Sequence, residues 1–154
     1  MEKEKNRSIL NRKKLLIFIG IAATAAAVIM LCMKFVGGEE NVGFEKVRED
    51  RIPAGISADV IPEYKTMERA LACMIDDDIY VMVSRGEKPS SGFGVSVDKM
   101  TIQEKDGKTN LVVYALFEDP DKKTPISQII TYPLCLVKTD LKQLPDTIEL
   151  RIQY

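Results

Sequence analysis

A short serine-containing turn holds the residues of this sequence whose types come closest to nucleophilic chemistry. Ser90 and Ser91 share the turn with Lys88. A serine hydroxyl attacks only when a neighbouring base takes its proton, and lysine is such a base only when burial lowers its pKa. A polar turn between strands gives little desolvation. We therefore predict that this group does no catalysis.

Other catalytic and metal-binding chemistry is restricted by the absence of histidine from the sequence. This absence excludes histidine general acid–base catalysis, the serine and cysteine triads that use histidine, and most zinc sites. Asp76-Asp77-Asp78 offers three carboxylates, but the glycine and the distal glutamate of an EF-hand loop are missing, so we predict a solvated helix-to-strand turn. We expect no enzyme activity, no cofactor and no metal.

The three cysteines, Cys32, Cys73 and Cys135, have no CxxC spacing that would indicate a metal or redox motif. We interpret them as small buried hydrophobic residues. If the domain lies outside the cell, a Cys73–Cys135 disulfide is an alternative. The net charge of −1, with the two signs nearly balanced, gives no indication of a nucleic-acid partner.

The N-terminal part of the chain has the pattern of a membrane anchor. Residues 1–14 form a basic tail that ends in Arg12-Lys13-Lys14, and Leu15 to Met33 carry no charge. A run of about 20 apolar residues spans a bilayer as one helix. The excess of positive charge before the run places the N-terminus in the cytoplasm and the rest outside. We predict a transmembrane anchor over residues 15–36. A signal peptide cleaved after Ala23-Thr24-Ala25 or Ala25-Ala26-Ala27 is the alternative.

Residues 37–58 are predicted to be a juxtamembrane linker with a possible first strand, and residues 59–154 a β-rich extracytoplasmic domain. Beyond Pro62, apolar residues recur at helical spacing among charged ones and predict one short amphipathic helix. They are Tyr64, Met67, Leu71, Met74 and Ile75.

The rest of the domain has the pattern of strands and turns. Ile79–Val83 and Leu111–Phe117 are apolar on both faces and predict central strands. The alternation that starts at Phe93 changes phase near Asp98-Lys99, which predicts a bulge, and Asp106-Gly107 predicts a hairpin. Further strands are predicted at 126–131, 134–138 and 147–154. The fold class is α+β, mainly β: an antiparallel sandwich or open barrel with one short amphipathic helix, preceded by a single transmembrane helix.

The stretch from Gly86 to Gly94 joins two of these strands. Its glycines permit positive φ or close backbone approach, and Pro89 fixes its own φ. We interpret it as a defined loop that is presented at the surface.

Three sequence motifs in this region resemble the PrcB C-terminal domain family, over about residues 76–140. They are Ser84-Arg85-Gly86-Glu87-Lys88-Pro89-Ser90-Ser91-Gly92-Phe93, then Leu111-Val112-Val113-Tyr114, then Ile129-Ile130-Thr131-Tyr132-Pro133. The family carries a G-x-K-P-(S/T)-x-G-(Y/F) turn and a late T-Y-P. Phe93 stands where the family often has tyrosine, and it lacks the hydroxyl. Pro89–Phe93 is also similar to the Pro-Thr-Thr-Gly-Tyr loop of chagasin-type protease inhibitors, although the chain has no tryptophan.

The PrcB family is named for a non-catalytic subunit of a surface protease complex, so the resemblance implies a protease-associated interaction domain. We predict a membrane-anchored, non-catalytic module whose partner-contacting residues form one loop and a second element. The loop residues are Lys88, Pro89, Ser90, Ser91, Gly92 and Phe93, and the second element is Tyr132 and Pro133. A small-ligand or cell-wall-binding sensor domain is the alternative. Tyr132-Pro133 could also lie at a sheet edge that accepts a peptide strand.

Overall fold

The computed structural model describes residues 38–154, apart from residues 106, 122 and 124. Within this part of the chain there are eight strands and a short helical region. The strands are β1 (Glu40–Asn41), β2 (Phe44–Lys46), β3 (Glu68–Ile75), β4 (Asp78–Arg85), β5 (Gly94–Lys105), β6 (Lys108–Glu118), β7 (Leu134–Thr139) and β8 (Thr147–Gln153). The helical region consists of a 3₁₀ turn (Glu49–Arg51), a π-helical turn (Ile56–Val60) and the α-helix α1 (Ile61–Tyr64).

The strands form two four-stranded sheets, ordered β1-β5-β6-β8 and β2-β7-β4-β3. The mainly β two-sheet fold with one short helix is therefore confirmed. One pairing differs from the predicted antiparallel arrangement, because β8 runs parallel to β6. After β6 the chain crosses to the other sheet, where it forms β7 and runs back toward the end at which β6 began. It then returns to the first sheet at that end, so β8 runs in the same direction as β6.

Val42 and Gly43 carry the chain from one sheet to the other, between β1 and β2. The Val42 N–H donates to the Met100 carbonyl, and the Asp140 N–H donates to the Gly43 carbonyl, both at 3.0 Å. A Cβ atom on Gly43 would lie 2.5 Å from Asp140 Oδ2, so this close approach requires glycine. On the opposite side, no backbone pairing joins β3 to β8 in the described residues, so the sheets do not close into a barrel.

The main hydrophobic core lies between the two sheets. Alternate residues of β6 point into it, and β4 and β7 contribute from the other sheet. The buried contributors from these strands are Leu111, Val113, Ala115, Phe117, Val81, Val83, Cys135 and Val137. A smaller core of Ile56, Met82 and Leu136 lies on the outer face of β4 and β7, beneath the helical region. Strand β4 is thus buried on both faces, as its continuous apolar run predicts.

The predicted bulge and hairpin are both confirmed. The β5–β6 register shifts between Val97 and Lys99, where the sequence changes phase. Because of this shift, Val95 and Val97 face the main core together with Met100 and Ile102. Pairing of Lys105 with Lys108 closes the hairpin.

The amphipathic helix predicted beyond Pro62 is mostly wrong, because α1 ends at Tyr64 and Glu68–Ile75 form strand β3. Strand β3 is apolar on both faces: Ala70 and Ala72 pack on the main core, whereas Leu71 packs on the smaller core. Apolar residues on both faces of a strand include helical spacings by coincidence. Asp76 and Asp77 accordingly form a two-residue hairpin turn, with φ of 50° and 65°, in place of the predicted helix-to-strand turn.

The strand predicted at 126–131 is also absent. Only Thr131 pairs there, through an isolated bridge to Lys88. Strand β7 matches the prediction at 134–138, and β8 matches the C-terminal one. Cys73 and Cys135 are both free. They pack in different cores on opposite faces of one sheet, which explains why they form no disulfide.

The basic tail at 1–14, the predicted span at 15–36 and Cys32 lie outside the described residues. Within residues 38–154, as far as the structure describes them, no helix is long and apolar enough to span a membrane.

Candidate functional site

The two predicted candidate elements lie side by side at one end of the domain. We call Gly86–Phe93 the presented loop, and residues 119–133, which connect β6 to β7, the strap. Lys88 and Thr131 exchange two backbone hydrogen bonds, each of 2.9 Å, and the Arg85 N–H donates to the Pro133 carbonyl at 2.9 Å. The structure thus brings the loop and the Tyr132-Pro133 element into one surface.

The serines of the presented loop hold it against the strap. The Thr131 hydroxyl donates to the Ser90 carbonyl at 2.7 Å. The Ser91 N–H donates to the Ser127 carbonyl at 2.9 Å, and the Ser127 N–H donates back to Ser91 Oγ at 2.8 Å. Because both segments satisfy each other's backbone groups, the loop is fixed in one conformation even though it has no regular strand pairing.

Two glycines set the path of the presented loop. Gly86 has φ of 74°, and a Cβ atom there would lie 3.1 Å from the Thr66 carbonyl oxygen. Gly92 has φ of 93°, and its Cβ would lie 2.8 Å from Pro120 Cβ in the strap. Both positions combine a left-handed backbone with close neighbours, so a residue with a side chain would be strained at either one.

Arg85 supports the loop from beneath, a role that no local pattern in the sequence indicates. Its guanidinium lies between two aromatic rings, 4.9 Å from the centroid of Phe93 and 5.1 Å from that of Phe117. It donates to the Glu118 carbonyl at 2.5 Å and the Gly94 carbonyl at 3.4 Å, and it forms an ion pair with Asp119. The side chain is only 5% exposed. A charged group buried to this degree needs such partners, and its two terminal nitrogens find them, whereas the buried Nε has no hydrogen-bond partner.

Tyr132 lies over the start of the loop. Its hydroxyl donates to Glu87 Oε2 at 3.1 Å, and Lys65 Nζ lies 4.7 Å from its ring centroid. The hydrogen bond to the Glu87 carboxylate raises the pKa of Tyr132 above its ordinary value. Tyr132-Pro133 does not lie at a sheet edge, because it leads into β7, an interior strand that pairs with both β2 and β4.

Exposed apolar side chains of the strap lie beside the presented loop. Ile129 is 56% exposed and Ile130 is 60% exposed, and Ile126 Cγ2 is 3.4 Å from the position of a Gly92 Cβ. In the loop itself Pro89 and Gly92 are exposed, whereas Ser90 is buried. The strand prediction for 126–131 hid this surface, since it implied that alternate isoleucines pack inward.

The two charged side chains of the presented loop already have partners, since Glu87 accepts from Tyr132 and Lys88 lies near Glu68. Lys88 Nζ lies 3.9 Å from Glu68 and 6.0 Å from the Phe93 ring centroid. Across the described part of the chain, no group of three or more His, Cys, Asp or Glu side chains could hold a metal ion. The arrangement is suited to contact with another molecule through its exposed apolar side chains.

Comparison with known protein families gave a match over part of the chain. Residues 79–140 match the family model described as PrcB C-terminal. No curated protein and no solved structure was found to match the chain. The matched segment begins in β4, includes the presented loop and the strap, and ends just after β7. The resemblance indicated by the sequence motifs is thereby confirmed over residues 79–140, and similarity to this domain suggests a subunit associated with a protease complex.

Proposed function

We propose that this chain is a non-catalytic, membrane-anchored extracytoplasmic interaction module that acts as an accessory or modulating subunit of a surface protease. The presented loop and the strap form its partner-contacting surface. The family match supports the association with a protease complex. The uncharged run from Leu15 to Met33, preceded by basic residues, supports the anchor and its orientation.

The observation that carries the proposal is the mutual fixing of the loop and the strap beside exposed isoleucines. Ile129 and Ile130 each leave more than half of their surface in water. Large exposed apolar side chains that are clustered, rather than scattered, mark interaction sites. Because hydrogen bonds to Thr131 and Ser127 already order the loop, little conformational entropy is lost when a partner binds.

The non-catalytic role is supported by the state of the one serine–lysine group. Ser91 Oγ accepts the Ser127 N–H at 2.8 Å, and Lys88 Nζ lies 3.9 Å from the Glu68 carboxylate. Both side chains are thus engaged with residues outside the serine–lysine group. Hydrolytic activity of envelope fractions is expected to be equal for the wild type and Lys88→Ala.

Site-specific photocrosslinking in intact cells tests the partner surface. A photoreactive residue at position 130 is expected to crosslink a surface protease subunit. The same photoreactive residue in place of Glu149, in the edge strand β8 of the other sheet, is not expected to do so. Ile129→Ser and Ile130→Ser should each reduce co-purification of that subunit by about ten-fold or more, as expected for residues central to an interface. Equal crosslinking at both positions, or recovery of no protease subunit, would contradict the proposal.

Labelling with a membrane-impermeant maleimide tests the orientation. Gln128 is an exposed strap residue. Gln128→Cys, combined with Cys32→Ser and Cys73→Ser, should react in intact cells. Reaction only after lysis would place the domain in the cytoplasm and remove the extracytoplasmic part of the proposal.

A separate cavity favours the alternative function, a small-ligand or cell-wall-binding sensor. A cavity of about 220 Å³ lies on the outer side of β2, β4 and β7. Its lining is Glu45, Lys46, Val47, Arg48, Arg51, Tyr80 and Lys138. Basic groups around an aromatic ring suit a carboxylate-bearing ligand. Acidic cell-wall peptides should raise the unfolding temperature of the wild type but not that of Arg51→Ala if this function holds.

A further inference from the structure

Strand β3 is an unprotected sheet edge. Among the described residues it pairs with β4 alone, although it is eight residues long. From Ala70 to Ile75 it carries no charge, no glycine and no proline. Proteins usually blunt such edges with short strands, charges or proline, because free N–H and C=O groups invite pairing with another chain.

The other three edges are blunted in these ways. Strands β1 and β2 have two and three residues, and they are consecutive parts of the crossing between the sheets. Strand β8 carries Glu149 and Arg151 in its middle, where they form an ion pair of 2.8 Å, whereas the charges of β3 are confined to its first two residues, Glu68 and Arg69. Strand β3 is therefore the edge at which pairing with another strand is expected.

The register of β3 shows which backbone groups it offers. Ile75 and Asp78 flank the two-residue turn, so they form a hydrogen-bonded pair of the β3–β4 ladder. Hydrogen-bonded pairs alternate with non-hydrogen-bonded pairs along an antiparallel ladder. The backbone groups of every second residue therefore point away from β4. These residues are Glu68, Ala70, Ala72 and Met74.

We propose that the edge of β3 binds a second copy of this chain, antiparallel and about a two-fold axis that passes beside Leu71. In this register Ala70 lies opposite Ala72 of the second copy, and Glu68 lies opposite its Met74. All four outward-pointing residues then find partners, and no like charges face each other. The edge is self-complementary, as a two-fold interface requires.

The faces of the sheet also match in this register. Residues opposite each other across the axis differ by an even number of positions, so the core-facing side of one copy continues into the core-facing side of the other. The β2-β7-β4-β3 sheets of the two copies would form one continuous eight-stranded sheet. This dimer uses the backbone edge of β3 and not the presented loop or the strap, so either proposal can fail alone.

Disulfide crosslinking of the full chain tests the register directly. Arg69 is exposed and would lie opposite the free Cys73 of the second copy, with Cα atoms about 4.5 Å apart. That separation is within the range of a disulfide. In a Cys32→Ser background, Arg69→Cys should therefore form an oxidised dimer, and adding Cys73→Ser should abolish it. Glu149→Cys in the same background is the matched control on the β8 edge and should stay monomeric on oxidation.

Two variants that introduce opposite charges at one position test the dimer without crosslinking. Met74 is 41% exposed, so it tolerates substitution, and it would lie opposite Glu68 twice in each dimer. Met74→Glu should raise the dimer dissociation constant about ten-fold through like-charge opposition, whereas Met74→Lys should leave it unchanged or lower it. Analytical ultracentrifugation of the purified full chain in mild detergent measures both.

Three outcomes would overturn the proposal. They are a wild-type chain that sediments as a monomer, a dimer that responds equally to Met74→Glu and Met74→Lys, and equal crosslinking by Glu149→Cys and Arg69→Cys. Loss of the dimer on adding a strand-forming peptide in excess would show that the edge also accepts peptides from other proteins, and it would support the edge as the dimer contact.

Discussion

At the scale of the residue, Arg85 links the hydrophobic core to the candidate surface. Its guanidinium is buried between Phe93 and Phe117, and it donates to the carbonyl groups of Glu118 and Gly94. Arg85→Met would keep the apolar volume but leave these buried carbonyls without a donor. We expect a loss of about 2–3 kcal/mol in the free energy of unfolding, measured by urea denaturation.

Arg69→Met is the control for this variant. Arg69 is an exposed arginine that lies 5.0 Å from the Tyr64 ring centroid, so it keeps a cation–π contact but lacks the burial. Its substitution should change stability by no more than about 0.5 kcal/mol. Equal effects of the two variants would show that the Arg85 hydrogen bonds contribute little.

Two turn glycines, Gly92 in the presented loop and Gly107 in the β5–β6 hairpin, allow the energetic cost of backbone strain to be measured separately from that of a steric clash. Gly107 and Gly92 both have positive φ, but a Cβ meets nothing within 4 Å at Gly107 and lies 2.8 Å from Pro120 at Gly92. Gly107→Ala should therefore destabilise the domain by about 1 kcal/mol from conformation alone. Gly92→Ala should destabilise the domain by more than this, because its Cβ must also displace the strap. It should also increase amide hydrogen exchange at Ser91 and Ser127. Equal losses with unchanged exchange would mean that the strap yields freely.

The position of the presented loop could be predicted from its own residues, whereas the burial of Arg85 beneath it could not. The glycines and Pro89 indicate a defined turn through their own backbone preferences, so the loop can be located from local sequence. Arg85 has no such local signal. An arginine at the end of a strand usually lies in solvent, and its burial here depends on Phe117 and Glu118, which come from a distant part of the sequence.

At the scale of the element, the main error concerned β3, and its cause is tertiary. Leu71, Met74 and Ile75 have the spacing of a helix face, but the chain before β4 must supply an edge strand and the Asp76-Asp77 turn allows a tight hairpin. The smaller core on the outer face of the sheet makes both faces of β3 apolar. Periodicity predicts secondary structure well only where one face is in water, as in β8.

A contact at the start of the parallel pair β6–β8 can be tested by varying the pH. Asp146, just before β8, accepts from the Thr109 N–H at 2.7 Å and from the Thr109 hydroxyl at 2.9 Å. These hydrogen bonds lower the pKa of Asp146 below its ordinary value. The folded chain therefore binds this proton less readily than the unfolded chain does. The stabilisation is complete above the unfolded pKa of about 3.9 and is lost as the pH falls through the folded value.

Asp146→Asn should therefore be less stable than the wild type at neutral pH, and the difference should shrink as the pH falls below about 4. Denaturant titrations of both proteins across this pH range measure the difference. A difference that stays constant down to low pH would show that the carboxylate charge makes no contribution. Asp121→Asn is a control at an exposed carboxylate in the strap.

At the scale of the whole molecule, the two sheets depend on residues that precede the predicted domain start at residue 59. Strands β1 and β2 cover β5 and β7, and Val42 and Ile56 are buried in the main and the smaller core. The compact unit runs from Gly38 to Tyr154. Composition suggested a linker here because the segment is short, charged and rich in glycine. The hydrogen bonds that incorporate it come from distant residues such as Met100 and Asp140.

Two fragments test how much of the chain the fold requires. The fragment 38–154 should unfold cooperatively on heating, because it contains both sheets and both cores. The fragment 59–154 lacks β1, β2 and Ile56, so it should expose the apolar edges of β5 and β7, bind a hydrophobic dye and lose the cooperative transition. Circular dichroism and dispersion of amide resonances compare the two. A cooperative, well-dispersed 59–154 would show that the first two strands only decorate a domain that folds without them.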